Sequence, residues 1–200
     1  MAGKRRKFKR EPGRWQYRKF IIIATEGDRT EKQYFDIFKN SNAVIKLECL
    51  RSKDRSSPKQ VLERMQHYLR REGLDKNDKK WQAWLVLDCD QNSEDTLQEL
   101  YQWTQSNEHY HLAVSNPQFE YWLLLHFENG KKISNGKECV RRLRYYCPNY
   151  TKNDIQPHKY EKGIDKAIRR AREKDSPPCK SWPRQNGSTV YLLVEELRGS

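Results

Sequence analysis

Apolar residues in this chain fall into short unbroken runs separated by stripes at helical spacing. Lys19 to Thr25 contains the run Phe20-Ile-Ile-Ile-Ala24, which suits a strand buried on both faces. Ala43 to Leu50 alternates, with Val44 and Ile45 as β-formers, and predicts a second strand. Gln82 to Leu87 and Tyr110 to Ser115 predict a third and a fourth. Between these runs the spacing changes. Thr30-Glu-Lys-Gln33 has the form of a capping box, so a helix is expected from Glu31 to Lys39 with Tyr34, Phe35, Ile37 and Phe38 as its apolar stripe. Ser57-Pro-Lys-Gln60 repeats the signal with proline at the first helical position. That helix carries Val61, Leu62, Met65, Tyr68 and Leu69 and stops at Gly73. Ser93 begins a helix bearing Leu97, Leu100 and Tyr101, and Gln118 to Phe127 forms another around Tyr121-Trp-Leu-Leu-Leu125. Strand and helix alternate, which implies an α/β fold with a parallel four-stranded sheet flanked by helices.

Beyond Asn129 the pattern is helical. Lys137 to Tyr146 and Glu161 to Lys174 predict basic amphipathic helices, and Ser176 to Pro183 reads as a loop. Thr189 caps a final segment through Val190, Leu193, Val194 and Leu197, helical by spacing although Thr-Val-Tyr also favours a strand. The expected organisation is a basic arm over residues 1–18, an α/β core over 19–130, and a basic, mainly helical part over 131–200 that packs on the core.

Charge adds a partner to this picture. The 200 residues carry a formal net charge of +13. Residues 1–19 hold roughly +8 of it and residues 137–185 roughly another +8, leaving the segment between slightly acidic. A near-neutral core between basic wings is the footprint of a protein for a phosphate-backbone polymer. Arg5, Arg6 and Lys7 in the arm, Arg29 after the first strand, and Arg141, Arg142, Arg169 and Arg170 in the C-terminal helices are the candidate contacts. Tyr145, Tyr146, Tyr150, Tyr160 and Trp182 interleave with these cations and either stack on bases or pack the C-terminal part. No apolar run is long enough to span a bilayer, and the basic N-terminus lacks the apolar segment of a secretory signal, so a soluble, cytoplasmic protein is expected. Five cysteines without a C-x-x-C pair argue against a disulfide framework. His109 and His111 share one strand face but lack a third soft ligand, which favours a structural role.

The candidate chemistry lies at two strand ends. Asp88-Cys-Asp90 follows the third strand and Glu26-Gly27 follows the first. Parallel strands would bring these acids into one crevice beyond their carboxyl ends, the usual binding position of open α/β sheets. Alternation along a strand places Asp88 and Asp90 on one face and Cys89 on the other. Like charges so close need relief, and a hard divalent cation with oxygen ligands supplies it. Glu26, Asp88 and Asp90 are therefore the expected ligands. Asp28, Glu31 and Glu120 are further acids, although Glu31 and Glu120 also suit the first turn of a helix. Gly27 permits a sharp turn or a close approach to the backbone. No Walker-type loop, dinucleotide fingerprint or nucleophile elbow is present.

Glu26-Gly-Asp-Arg-Thr-Glu31 with Tyr34-Phe35, then Leu87-Asp-Cys-Asp90, then Ser115-Asn-Pro-Gln-Phe-Glu-Tyr-Trp-Leu-Leu-Leu-His-Phe127 resemble the RloB family of Toprim-domain proteins. The resemblance spans residues 19 to 198, and its third segment is the most distinctive. It implies a Toprim-like, Rossmannoid core with a C-terminal helical extension, dependence on Mg²⁺ or Mn²⁺, and a role in prokaryotic antiphage or abortive-infection systems beside an AAA-type ATPase. It matches Glu26, Asp88 and Asp90 to the Toprim acids, and Glu31 and Glu120 to acids of the RloB pattern. The function expected is a metal-dependent nuclease acting on DNA or RNA, tRNA included. Two alternatives stay open: a non-catalytic nucleic-acid-binding adaptor of an ATPase, and a phosphohydrolase of small nucleotides.

Overall fold

The computed structural model describes residues 19–27, 29–39, 44–50, 57–75, 77–90, 92–152 and 154–199. The expected arm, with Arg5, Arg6 and Lys7, and Asp28 lie outside the described residues.

The chain alternates as its pattern requires: β1 (Lys19–Thr25), α1 (Thr30–Phe35), β2 (Ile45–Leu50), α2 (Pro58–Glu72), β3 (Trp81–Asp88), α3 (Glu94–Gln105), β4 (Tyr110–Asn116) and α4 (Phe119–Leu125). The C-terminal part adds α5 (Gly136–Tyr146), α6 (His158–Glu161), α7 (Ile164–Lys174), β5 (Gly187–Ser188) and α8 (Val190–Arg198). The sheet order is β2-β1-β3-β4-β5. The first four of these run parallel, and β5 pairs antiparallel with the end of β4 through Ser115–Ser188 and Asn116–Gly187.

The expectation of four strands is therefore corrected to five. Two residues give no periodic signal, and what recruits them is tertiary. Ser115 and Ser188 share a hydroxyl–hydroxyl hydrogen bond of 2.8 Å. The Val114 N–H donates to Thr189 Oγ1 at 2.9 Å. The segment after β5 is helical, which settles the ambiguity of Thr-Val-Tyr.

Both faces of the sheet are covered. Ile21 and Ile23 of β1 join Trp84 and Val86 of β3 in a core with α1, α4, α5, α7 and α8. Ile22 and Ala24 join Ala83, Leu85 and Leu87 in a second core with α2, α3 and the Trp182 loop. Burial of each isoleucine from both sides contributes roughly 1.5–3 kcal/mol and explains why β1 is an unbroken apolar run.

Ser57 caps α2 as predicted: its hydroxyl accepts from the Gln60 N–H, the Gln60 side chain answers to the Ser57 N–H, and Gly73 closes the helix at φ 59°. The other capping box does not form. Thr30 lies inside α1 without capping it. Its hydroxyl instead donates to the Lys152 carbonyl, and Gln33 Oε1 accepts the Ile155 N–H at 3.0 Å. These two contacts strap the 150–155 loop onto α1. The predicted helix over Glu161 to Lys174 divides into α6 and α7. Among the described residues no helix is long and apolar enough to cross a membrane.

Candidate functional site

β1 and β3 are adjacent, with Thr25 opposite Val86, so Glu26 and Asp88 leave the sheet side by side. Glu26 Oε2 accepts from the Asp88 N–H at 3.3 Å and from Asn92 Nδ2 at 3.0 Å. Asp88 Oδ1 accepts from the Phe119 N–H at 2.8 Å, pinning the first turn of α4 to the end of β3. Glu31 folds back from α1, and its Oε1 accepts from the Gly27 N–H at 3.0 Å. A Cβ at position 27 would fall on that carboxylate, so glycine is required there for close approach. Glu120, in the first turn of α4, accepts from the Tyr150 hydroxyl at 2.8 Å, and Lys152 Nζ lies 3.4 Å from its Oε1.

Glu26, Glu31, Asp88 and Glu120 are all at most 9% exposed. Burial drives the Asp88 carboxyl well above its usual range, and the charges of Glu31, Glu120, Glu26 and Asp90 push it further. Burial also raises Glu31, to about 7; backbone hydrogen bonds oppose the rise, and Glu120 and Glu26 add to it. Three of the elements that carry these acids are held by backbone donors, so the repulsion is built into the fold. It is relieved by a proton or by a cation.

Asp90 is placed differently. β3 ends at Asp88, and the Cys89 and Asp90 N–H groups both donate to the Pro117 carbonyl, at 3.1 and 2.9 Å. The two aspartates differ in burial, Asp88 being buried and Asp90 exposed. The Asp90 carboxylate lies beside the start of α5, where a Cβ on Gly136 would come within 2.9 Å of its Oδ2 and 2.5 Å of Gln118 Oε1.

Among the described residues no group of three or more His, Cys, Asp or Glu side chains is gathered so as to hold a metal ion as it stands. The donor chemistry does fit one. Buried carboxylates that repel one another, with only oxygen to offer, match a hard divalent cation and no soft one.

A groove of about 1130 Å³ opens at Asp90 and runs along α5. Lys137, Arg141, Arg144 and Tyr145 line one side and Lys152 reaches it from the strap. Of the basic residues singled out in the sequence, Arg141 is here, held bidentately by Glu138. Arg142 points elsewhere and binds Glu128 and the Lys131 carbonyl. Arg170 donates to the Leu125 carbonyl at 2.6 Å, and Arg169 lies 3.8 Å from Glu173 on α7. Arg29 is exposed in the turn before α1. Of the interleaved aromatics, Tyr150, Tyr160 and Trp182 are core and Tyr146 stacks on Phe127. Tyr145 is 80% exposed.

In the sequence Lys137, Arg144, Lys152 and Asn92 are not singled out, and Tyr150 is named only as one of the interleaved aromatics. Lys137, Arg141 and Arg144 stand at i, i+4 and i+7, one face of a helix, and that spacing identifies them in the sequence; the adjacent pair Arg141-Arg142 does not share a face. Tyr150 and Lys152 act across some thirty intervening positions, and Asn92 is one polar residue in a turn. His109 stacks on Trp81 and His111 on Trp84, as the structural reading expected, and all the cysteines among the described residues are free.

No curated protein and no solved structure matches the chain. The family described as RloB-like protein matches it over residues 21–197, nearly its whole length and all the acids and groove residues above. The chain belongs to the RloB-like family.

Proposed function

We propose that the chain is a metal-dependent nuclease of Toprim type that hydrolyses phosphodiesters in DNA or RNA, with Mg²⁺ or Mn²⁺ held by Glu26, Asp88 and Asp90. One observation carries the reading: a buried cluster of mutually repelling acids at the carboxyl ends of β1 and β3 meets a cation-lined groove at Asp90. Such an ion supplies positive charge against a scissile phosphate and makes a water more acidic.

The chain's own groups do the positioning. Phe119 N–H and the Asp88 and Asn92 donors fix the Asp88 and Glu26 carboxylates. Glu31, whose carboxyl is raised to about 7, is tuned to accept a proton from an attacking water near neutral pH. Tyr150 orients Glu120. Lys152 and Arg29 offset charge that develops on the phosphoryl oxygens. The Toprim assignment rests on a glutamate and an Asp-x-Asp at the ends of adjacent parallel strands. The resemblance adds a role in antiphage defence beside an AAA-type ATPase, and the absence of a secretory signal pattern favours the cytoplasm as its place.

The test is cleavage of labelled single- and double-stranded DNA, RNA and tRNA with Mg²⁺ or Mn²⁺, comparing wild type with Asp88→Ala. Cleavage that needs metal and disappears in the variant supports the nuclease. Intact binding without cleavage in either protein favours the adaptor, and turnover of mononucleotides alone favours the phosphohydrolase.

A further inference from the structure

We propose that the groove along α5 is a single-strand track: it seats a few successive nucleotides, with Lys137, Arg141 and Arg144 against their phosphates and Tyr145 under one base. This deepens the nuclease reading and rests on it for the direction of the track, which leads to Asp90.

Three observations point to that ligand. First, the cations are periodic. Lys137, Arg141 and Arg144 lie on one face of α5 and cover about 10 Å of helix rise, a row of cations that can follow the backbone phosphates of a short strand. Lys137 and Arg144 have no carboxylate partner among the described residues, whereas Arg142 on the adjoining face is paired with Glu128. Arg141 is held by Glu138, so the unpaired charge of α5 among the described residues is that of Lys137 and Arg144, both of which line the groove.

Second, Tyr145 is an aromatic ring left 80% exposed in the groove wall, while Tyr146 beside it is stacked on Phe127 at 5.0 Å and 8°. Packing therefore uses one tyrosine of the pair and leaves the other to solvent. An exposed ring among cations is a stacking platform for a base whose face is free. Bases in a duplex are stacked on each other and offer no such face, and a groove of about 1130 Å³ holds a few nucleotides rather than a double helix.

Third, the groove ends at chemistry. Asp90 forms part of its lining, and so do Gln118 and Lys152, which bond to each other at 3.3 Å; Lys152 also reaches Glu120. A phosphate passed along α5 arrives at the edge of the acid cluster.

The test is binding of fluorescein-labelled oligo(dT), oligo(rU) and a mixed-sequence duplex to the full chain in EDTA, read by anisotropy, for wild type, Tyr145→Ala, Tyr145→Trp and Arg144→Gln. Wild type is expected to prefer the single strands. Tyr145→Ala weakens single-strand binding by roughly 5- to 100-fold and leaves duplex binding unchanged, while Tyr145→Trp restores it. Arg144→Gln lowers the slope of log affinity against log salt by about 0.7. The two single strands report which sugar is preferred. Every variant carries the same N-terminal residues, so their contribution cancels. Unchanged single-strand affinity in Tyr145→Ala, equal or tighter duplex binding by wild type, or no binding of any oligonucleotide overturns the track. Because cleavage is not read here, a protein that binds this way but never cuts would overturn the nuclease reading alone.

Discussion

The two ends of the sheet bury titratable groups in opposite ways. Toward the amino end, His109 stacks on Trp81 at 4.2 Å and His111 on Trp84 at 4.6 Å, and Trp103 lies flat on Tyr110. Burial, followed by the charges of Lys19 and His109, lowers the His111 imidazole to about 4, so it is neutral and packs as an aromatic. At the carboxyl end the buried groups are acids, and burial followed by neighbouring carboxylates raises the proton affinity of Asp88 and Glu31. One end makes His111 an uncharged partner in a stack. The other holds like charges together with backbone donors, which costs stability and returns no packing. Like charges gathered in that way are what the proposed metal site would need.

Substitutions at the two ends should separate stability from chemistry. The largest effect on stability is expected from Trp81→Ala, which removes a buried ring and its stack on His109. The cost is about 3–5 kcal/mol, read as a fall in denaturation midpoint, with the cleavage rate of the folded fraction unchanged at 25 °C. Loss of cleavage in that variant under folding conditions would erase the distinction between the ends.

Asp88→Asn should do the reverse. Its Oδ1 still accepts from the Phe119 N–H, but one charge leaves the cluster. Cleavage is expected to drop by at least about 100-fold, because removing even an indirect partner of a metal site costs 10- to 100-fold. The metal-free melting temperature should rise by a few °C. A variant that is both inactive and less stable would show that Asp88 serves mainly to hold α4.

Glu31→Gln sharpens the comparison through pH. The Glu31 carboxyl goes from 4.5 to about 7 on folding, so the folded protein binds its proton more tightly than the unfolded chain. The stability this gives is complete below about pH 4.5 and is lost as pH rises through 7. Glutamine still accepts from the Gly27 N–H and stays neutral throughout. The variant should match wild type near pH 4.5 and exceed it by on the order of 2–3 kcal/mol at pH 8 without metal. Urea titrations at several pH values measure the difference, and Mg²⁺ should shrink it.

The smallest effect belongs to His111→Phe. Among the described residues the buried His111 Nε2 has no hydrogen-bond partner, so a ring without it should be neutral or stabilising by about 1 kcal/mol. The imidazole is lowered on folding, so its stability is present above pH 6.5 and is lost as pH falls toward 4. That acid sensitivity should diminish in the variant.

The parts legible in the sequence are those fixed by local physics. Both-face burial makes Phe20 to Ala24 a continuous apolar run, and Ser57 with Gln60 caps α2 within its own turn. The acids at Glu26 and Asp88 followed from strand ends alone. Distant contacts decided the rest. Thr30 and Gln33 carry a capping pattern, yet the 150–155 strap takes both side chains. β5 exists because Ser115, Val114 and Asn116 offer partners to Gly187, Ser188 and Thr189. Asp90 is exposed where Asp88 is buried, in a turn whose N–H groups bond to the Pro117 carbonyl. In α5, helical spacing separates Arg144 in the groove from Arg142, but neighbours in sequence disguise it.

If the carboxyl end of the sheet holds a divalent cation, as proposed, calorimetric titration of Mn²⁺ will detect it. Saturable binding is predicted for wild type and for Trp81→Ala under folding conditions, and its loss in Asp88→Asn. Absence of saturable binding in wild type, or equal binding in Asp88→Asn, would contradict the account.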